Sequence, residues 1–122
     1  SEFVVAEQEA DVDLIVLSNA ELGFKDGARY EDTCKRGMEL GYDLCEPEDG
    51  PALRLGYMDQ PQGEVLTLAM KPITGSDGLL DVFDVEHGDG GLVLIGSNGG
   101  PDYFGRGVSR FVFRLRKKST CR

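Results

Sequence analysis

The chain has 122 residues, 40% hydrophobic and 29% charged, a composition that excludes wholesale disorder and collagen-like repetition and suits one domain around one core. Its formal net charge of -9 repels phosphate and argues against nucleic acid as the main partner. The charge is polarised, since every acid precedes Arg106 while residues 106–122 hold seven bases and no acid.

Taken in chain order, residues 1–11 are expected to be a flexible lead-in that opens on a cloning remnant, Ser1-Glu2-Phe3, and stays acidic without a period up to Asp11. Residues 12–17 are short, apolar and β-branched and predict a first strand, ended by Ser18-Asn19. Over 28–40 the period changes to that of a helix: Tyr30, Cys34, Met38 and Gly41 recur at helical spacing, with Glu31 and Asp32 early and Lys35 and Arg36 later. Gly41 suits a left-handed cap, whereas Gly37 inside the helix costs about 1 kcal/mol relative to alanine. After the helix the period is 2. Leu53, Leu55 and Tyr57 alternate with Arg54 and Gly56, and the turn Asp59-Gln60-Pro61-Gln62-Gly63 leads to a returning strand at 65–70, which together predict a hairpin. Gly75-Ser76-Asp77-Gly78 offers a turn before a strand at 80–86, and the glycine-rich turn from His87 to Gly91 precedes another at 92–95. A loop at 96–107 leads to the last strand, where Phe111, Phe113 and Leu115 alternate with Arg110, Val112, Arg114 and Arg116. The expected fold is α+β: one amphipathic helix packed on a mostly antiparallel, bent sheet of five or six strands or a small partly open barrel, over 12–117, with 118–122 as a disordered tail.

The chemistry available to such a domain is narrow. His87 is the single histidine, so a multi-histidine metal site is excluded, and the acids lack the series of a calcium loop; no metal and no cofactor is expected. Cys34, Cys45 and Cys121 are odd in number and form no CxxC pair, which fits a reducing cytoplasm better than a disulfide framework. No apolar run approaches the roughly 20 residues of a membrane-spanning helix.

Three segments carry candidate binding residues. Asp59, Gln60 and Glu64 surround one turn and can hydrogen-bond a polar ligand, although turn chemistry alone accounts for the Asp, Pro and Gly. His87 stands next to Glu86 and near Asp89, a proton-transfer arrangement that also reads as a solvated turn histidine. The loop at 96–107 lacks the Lys-Ser/Thr of a phosphate loop, and it offers Tyr103 and Phe104 either as aromatic contacts of a binding loop or as side chains folded back on the core. Arg110, Arg114 and Arg116 share one strand face, where pairing with Asp81, Asp84 or Glu86 of neighbouring strands is expected.

Leu53-Arg54-Leu55, Asp59-Gln60-Pro61, Gly63-Glu64, Ala69-Met70-Lys71-Pro72-Ile73, Ser76-Asp77-Gly78 and Arg110-Phe111-Val112-Phe113 together resemble a family of uncharacterised bacterial proteins of the environmental, mobile gene-cassette type, over roughly residues 12–117. The resemblance implies no assigned activity and transfers no catalytic residue. The expected function is a non-enzymatic binding or protein-interaction module of a mobile-element-borne protein, engaging a protein partner or a second copy through the glycine-rich loop or a sheet edge. The alternatives are a small hydrolase-like enzyme using Asp59, Glu64 and His87, and an acidic mimic of nucleic acid.

Overall fold

The computed structural model describes residues 2–7 and 10–115, with side chains from Val12 onward. The tail expected at 118–122, together with Cys121 and Arg116, lies outside the described residues. In chain order the elements are β1 (Glu2–Glu7), β2 (Ala10–Ser18), β3 (Ala28–Arg29), α1 (Tyr30–Glu39), β4 (Tyr42–Asp43) and α2 (Asp49–Gly56). They continue with β5 (Val65–Leu68), β6 (Ile73–Thr74), β7 (Leu80–Gly88), β8 (Gly91–Asn98), β9 (Phe104–Gly105) and β10 (Arg110–Leu115). The fold is α+β and mostly sheet, as expected; the sheet is open, contains a parallel pair between β10 and β5, and with two helices and an eight-stranded main sheet exceeds the one helix and five or six strands expected. Among the described residues no helix is long and apolar enough to cross a membrane.

The main sheet runs β1-β2-β10-β5-β7-β6, with β4 beside β10 and β8 beside β7. The last strand in the chain is therefore central: β10 pairs antiparallel with β2 and parallel with β5, and Phe111, Val112 and Phe113 are all buried. Such a three-residue apolar run is what a strand covered on both faces requires. The first predicted strand sits inside the sheet, not at its edge, because Glu2–Glu7 form β1 and pair with it. That strand, with the start of β2 at Ala10, takes up the described part of the lead-in expected over residues 1–11.

The two faces of the sheet are covered by different helices. Phe111 and Phe113 project to the side where α1 lies: Tyr30 packs its ring 6.2 Å from that of Phe111, and a Cβ added at Gly37 would strike the Phe113 ring. The buried stripe of α1 is Tyr30, Thr33, Cys34 and Gly37, while Met38 is exposed, so the apolar face is rotated from the expected one. Gly41 has φ 101° and ends the helix in the left-handed conformation.

The opposite face is covered by α2, which occupies the stretch expected as the first strand of a hairpin. Leu53 is fully buried and Leu55 is 75% exposed, which a strand with both residues on one face cannot produce and a helix can. Pro51 falls in the first turn, where its missing N–H goes unneeded. The Asp49 carboxylate accepts from the Glu46 amide at 2.9 Å, and a Cβ at Gly50 would come within 2.7 Å of the Phe83 ring. Each helix thus seats a glycine on a phenylalanine of the sheet, on opposite faces.

Candidate functional site

The turn candidates come first. Gln60 is buried and anchors the 57–64 loop: its Nε2 donates to the Val85 carbonyl at 3.0 Å and to Glu64, and its Oε1 accepts from Arg54 at 2.9 Å. Arg54, 9% exposed, also donates to the carbonyls of Tyr57, Glu86 and Val93, and burial lowers its pKa from the usual value. His87 lies on β7 opposite Leu92, not in the turn, and its Nδ1 donates to the Gln60 carbonyl at 2.6 Å. Glu64 pairs with Arg110 at 3.2 Å, and Asp59 is exposed. Gln60 therefore joins Glu64 to His87 while Asp59 stands apart, so the three residues of the hydrolase-like reading are not gathered in one pocket. Apart from the buried Arg54 Nε–H, which has no hydrogen-bond partner among the described residues, the network holds a loop against the β7–β8 hairpin.

The arginine partners differ from those expected. Arg110 meets Glu64, and Arg114 makes a bidentate pair with Asp49 of α2 at 2.7 and 2.9 Å. Neither meets Asp81, Asp84 or Glu86, because β5 separates β10 from β7.

The second site is made by topology. Because β8 lies beyond β7 while β10 lies beyond β5, the connection from Gly99 to Ser109 must cross two strands, and it does so on the α1 side. It is tied down at both ends and in the middle. Gly99 N–H donates to the Leu80 carbonyl, the first helical amides Tyr30 and Glu31 donate to the carbonyls of Tyr103 and Pro101 at 2.8 and 3.0 Å, and Ala20 N–H donates to Gly107. The loop thereby caps the N-terminus of α1, satisfying amides that the helix itself leaves free. Phe104 pairs with Arg29 in the small β3–β9 sheet, and Tyr103 and Phe104 are 52% and 59% exposed.

Beneath the crossing loop is a cavity of about 160 Å³. Its floor is one row of the sheet, Phe111, Thr67 and Asp84, which the register places side by side. Tyr30 forms a wall, its hydroxyl within donating distance of the Leu68 and Met70 carbonyls at 2.8 and 2.9 Å and accepting from the Met70 amide at 2.9 Å; burial pushes its phenol pKa up, so it stays protonated. Tyr103, Ser97 and Ser109 complete the rim. Asp84 is 6% exposed, and its Oδ1 has no hydrogen-bond partner among the described residues. Burial pushes the carboxyl up to about 6; the Thr67 and Ser97 hydroxyls draw it down, and neighbouring Glu86 pushes it up.

Of the six residues singled out from sequence, only Tyr103 lines this cavity. Asp84 was not among the six; it was expected as an ion-pair partner of the last strand's arginines. Its signal was an aspartate in the middle of the run Val82-Phe83-Asp84-Val85, where strand propensity disfavours it. The adjoining open groove, about 640 Å³, is lined by Glu64, Arg106 and Arg110 and shares Thr67 and Ser109 with the cavity. No family model, curated protein or solved structure matches the chain.

Proposed function

We propose that the chain is a binding module whose site is the cavity under the glycine-rich crossing loop. One observation carries this reading: a carboxylate of 6% exposure lines the cavity, and although the Thr67 and Ser97 hydroxyls interact with the carboxyl, its buried Oδ1 has no hydrogen-bond partner of good geometry among the described residues. Unsatisfied buried polar atoms are destabilising and few in folded proteins, so one facing a cavity calls for a complementary group. The test is a nitrogen-15 NMR screen of small cationic, neutral and anionic organic molecules. Binders should shift the amides of Thr67, Asp84, Ser97 and Tyr103 together, and Tyr103→Ala should weaken them. A screen in which nothing reaches these residues at millimolar concentration sinks the reading.

A protein partner or second copy is favoured by the outer edge of β8, which pairs with β7 alone among the described residues. Light scattering at two salt concentrations decides it, and a salt-insensitive monomer counts against it. On the same reading the protein works in the cytoplasm as a mobile-element-borne member of the bacterial family it resembles. The free thiols Cys34 and Cys45 support a reducing compartment; burial pushes Cys34 up to about 11 and Cys45 well above its usual value, leaving both unreactive.

A further inference from the structure

We infer that the cavity at Asp84 takes a small organic cation, a guanidinium or primary ammonium group, bound by the carboxylate and faced by the aromatic rings of Tyr30, Phe111 and Tyr103. The inference rests on the binding-module reading and names its ligand class. Charge and hydrogen-bonding capacity come first. An ionised carboxylate accepts only, and none of the ion pairs among the described residues involves Asp84. The nearest charge on the same strand face is Glu86, of like sign. A ligand that supplies N–H donors and a positive charge answers both deficits, whereas an anion would deepen them.

The walls agree with this chemistry. The Tyr30 and Phe111 rings, packed on each other with centroids 6.2 Å apart, line the cavity together with Tyr103, and an aromatic lining attracts a weakly hydrated cation. The Thr67, Ser97 and Ser109 hydroxyls give further acceptors for a fork of N–H groups. Size limits the ligand. A volume of 160 Å³ is about five times the share of one water in the liquid, enough for a methylguanidinium or short alkylammonium group and too small for a nucleotide. A metal ion fits less well, because among the described residues no three His, Cys, Asp or Glu side chains converge to hold one.

Such a group is found on free amines and guanidines and on the arginine and lysine side chains of proteins, so the test has two arms. In the first, methylguanidinium and its neutral isostere N-methylurea are titrated into the wild-type protein and into Asp84→Asn, followed by NMR shifts of the cavity amides. The cation should bind and the urea should not, with a loss of about tenfold or more in the variant. In the second, a blocked tripeptide with a central arginine is compared with its citrulline counterpart. Tighter binding of the arginine peptide than of methylguanidinium points to a protein side chain as the source, and the reverse to a free small molecule; either supports the cation.

A pH series on the wild-type protein keeps the inference falsifiable if Asp84→Asn fails to fold. The groups around Asp84 are Glu86 on its own strand, Thr67 of β5, Ser97 of β8, Tyr30 of α1 and Tyr103 of the loop, with Arg106 and Arg110 in the adjoining groove. Ionisation of Asp84 near pH 6 should raise cation affinity about tenfold from pH 5 to pH 8. Equal binding of methylguanidinium and N-methylurea, or affinity flat with pH, overturns the inference and leaves the binding-module reading standing. Silence of the cavity toward every probe overturns both.

Discussion

Asp84 shows how the burial of one side chain makes stability depend on pH. Its carboxyl is shifted to about 6 from 3.8, chiefly because burial disfavours the charged form. A carboxyl whose folded pKa lies above its unfolded value favours the folded state while protonated. That contribution is complete below about pH 4 and is lost as pH rises through about 6. Asp84→Asn should therefore gain stability over wild type as pH rises from about 4 to 7, by on the order of 2 to 3 kcal/mol. Urea unfolding at both values measures it, and a wild-type-to-variant difference that does not change with pH refutes the assignment. Stability sacrificed at neutral pH for a charged group in a cavity is the trade expected of a binding residue. Gln60 is the contrasting case. The sequence marked it as a ligand contact, yet its amide is fully engaged by Arg54, Glu64 and Val85, and sequence spacing gave no view of an arginine reaching it from a helix.

Among the elements, α1 was legible and α2 was not. The first has an amphipathic stripe, acids in its first turn and a positive-φ glycine at its end, all local signals. The second runs for eight residues with Leu53 and Leu55 two apart, which imitates the period of a strand; burial of Leu53 against the sheet chose the helix. Gly37 reverses its expected role in α1. Propensity predicts that Gly37→Ala stabilises by about 1 kcal/mol. The Phe113 ring occupies the space of the added methyl, so the variant should instead lose about 1 to 3 kcal/mol. Adding Phe113→Leu should recover part of that loss. Thermal unfolding of the single and double variants decides between propensity and packing, and a stabilised Gly37→Ala would place the helix farther from the sheet.

For the whole molecule, the polarised charge is a matter of layers. The described part of the basic end, Arg110–Leu115, is the central strand, and Arg110 and Arg114 alternate with its buried phenylalanines, with Arg114 gripping Asp49 of α2 and Arg110 gripping Glu64. Asp49 is 1% exposed at its side chain and Arg114 25%, so this pair lies where water screens little. A double-mutant cycle with Asp49→Asn and Arg114→Gln should return a coupling of about 1 to 3 kcal/mol that persists from about 0.05 to 0.5 M salt. A coupling that vanishes with salt would mean that the pair is solvated and that α2 is held by apolar contacts alone. The same topology makes the cavity, since parallel pairing of β10 with β5 forces the glycine-rich connection across the sheet face.

By itself the sequence determined the class of the fold, the first helix, the β7–β8 hairpin, the long glycine-rich loop and the last strand, because each is written in periodicity and turn chemistry within a dozen residues. Tertiary structure alone decided that β10 is central and parallel to β5, that 49–56 is helical, and that Arg114 belongs with Asp49. It also decided that Asp84 is a buried aspartate lining a cavity. These depend on which residues meet across 30 to 65 positions of chain, and burial, with the pKa shift it produces, is a property of the packed surroundings that no local pattern encodes.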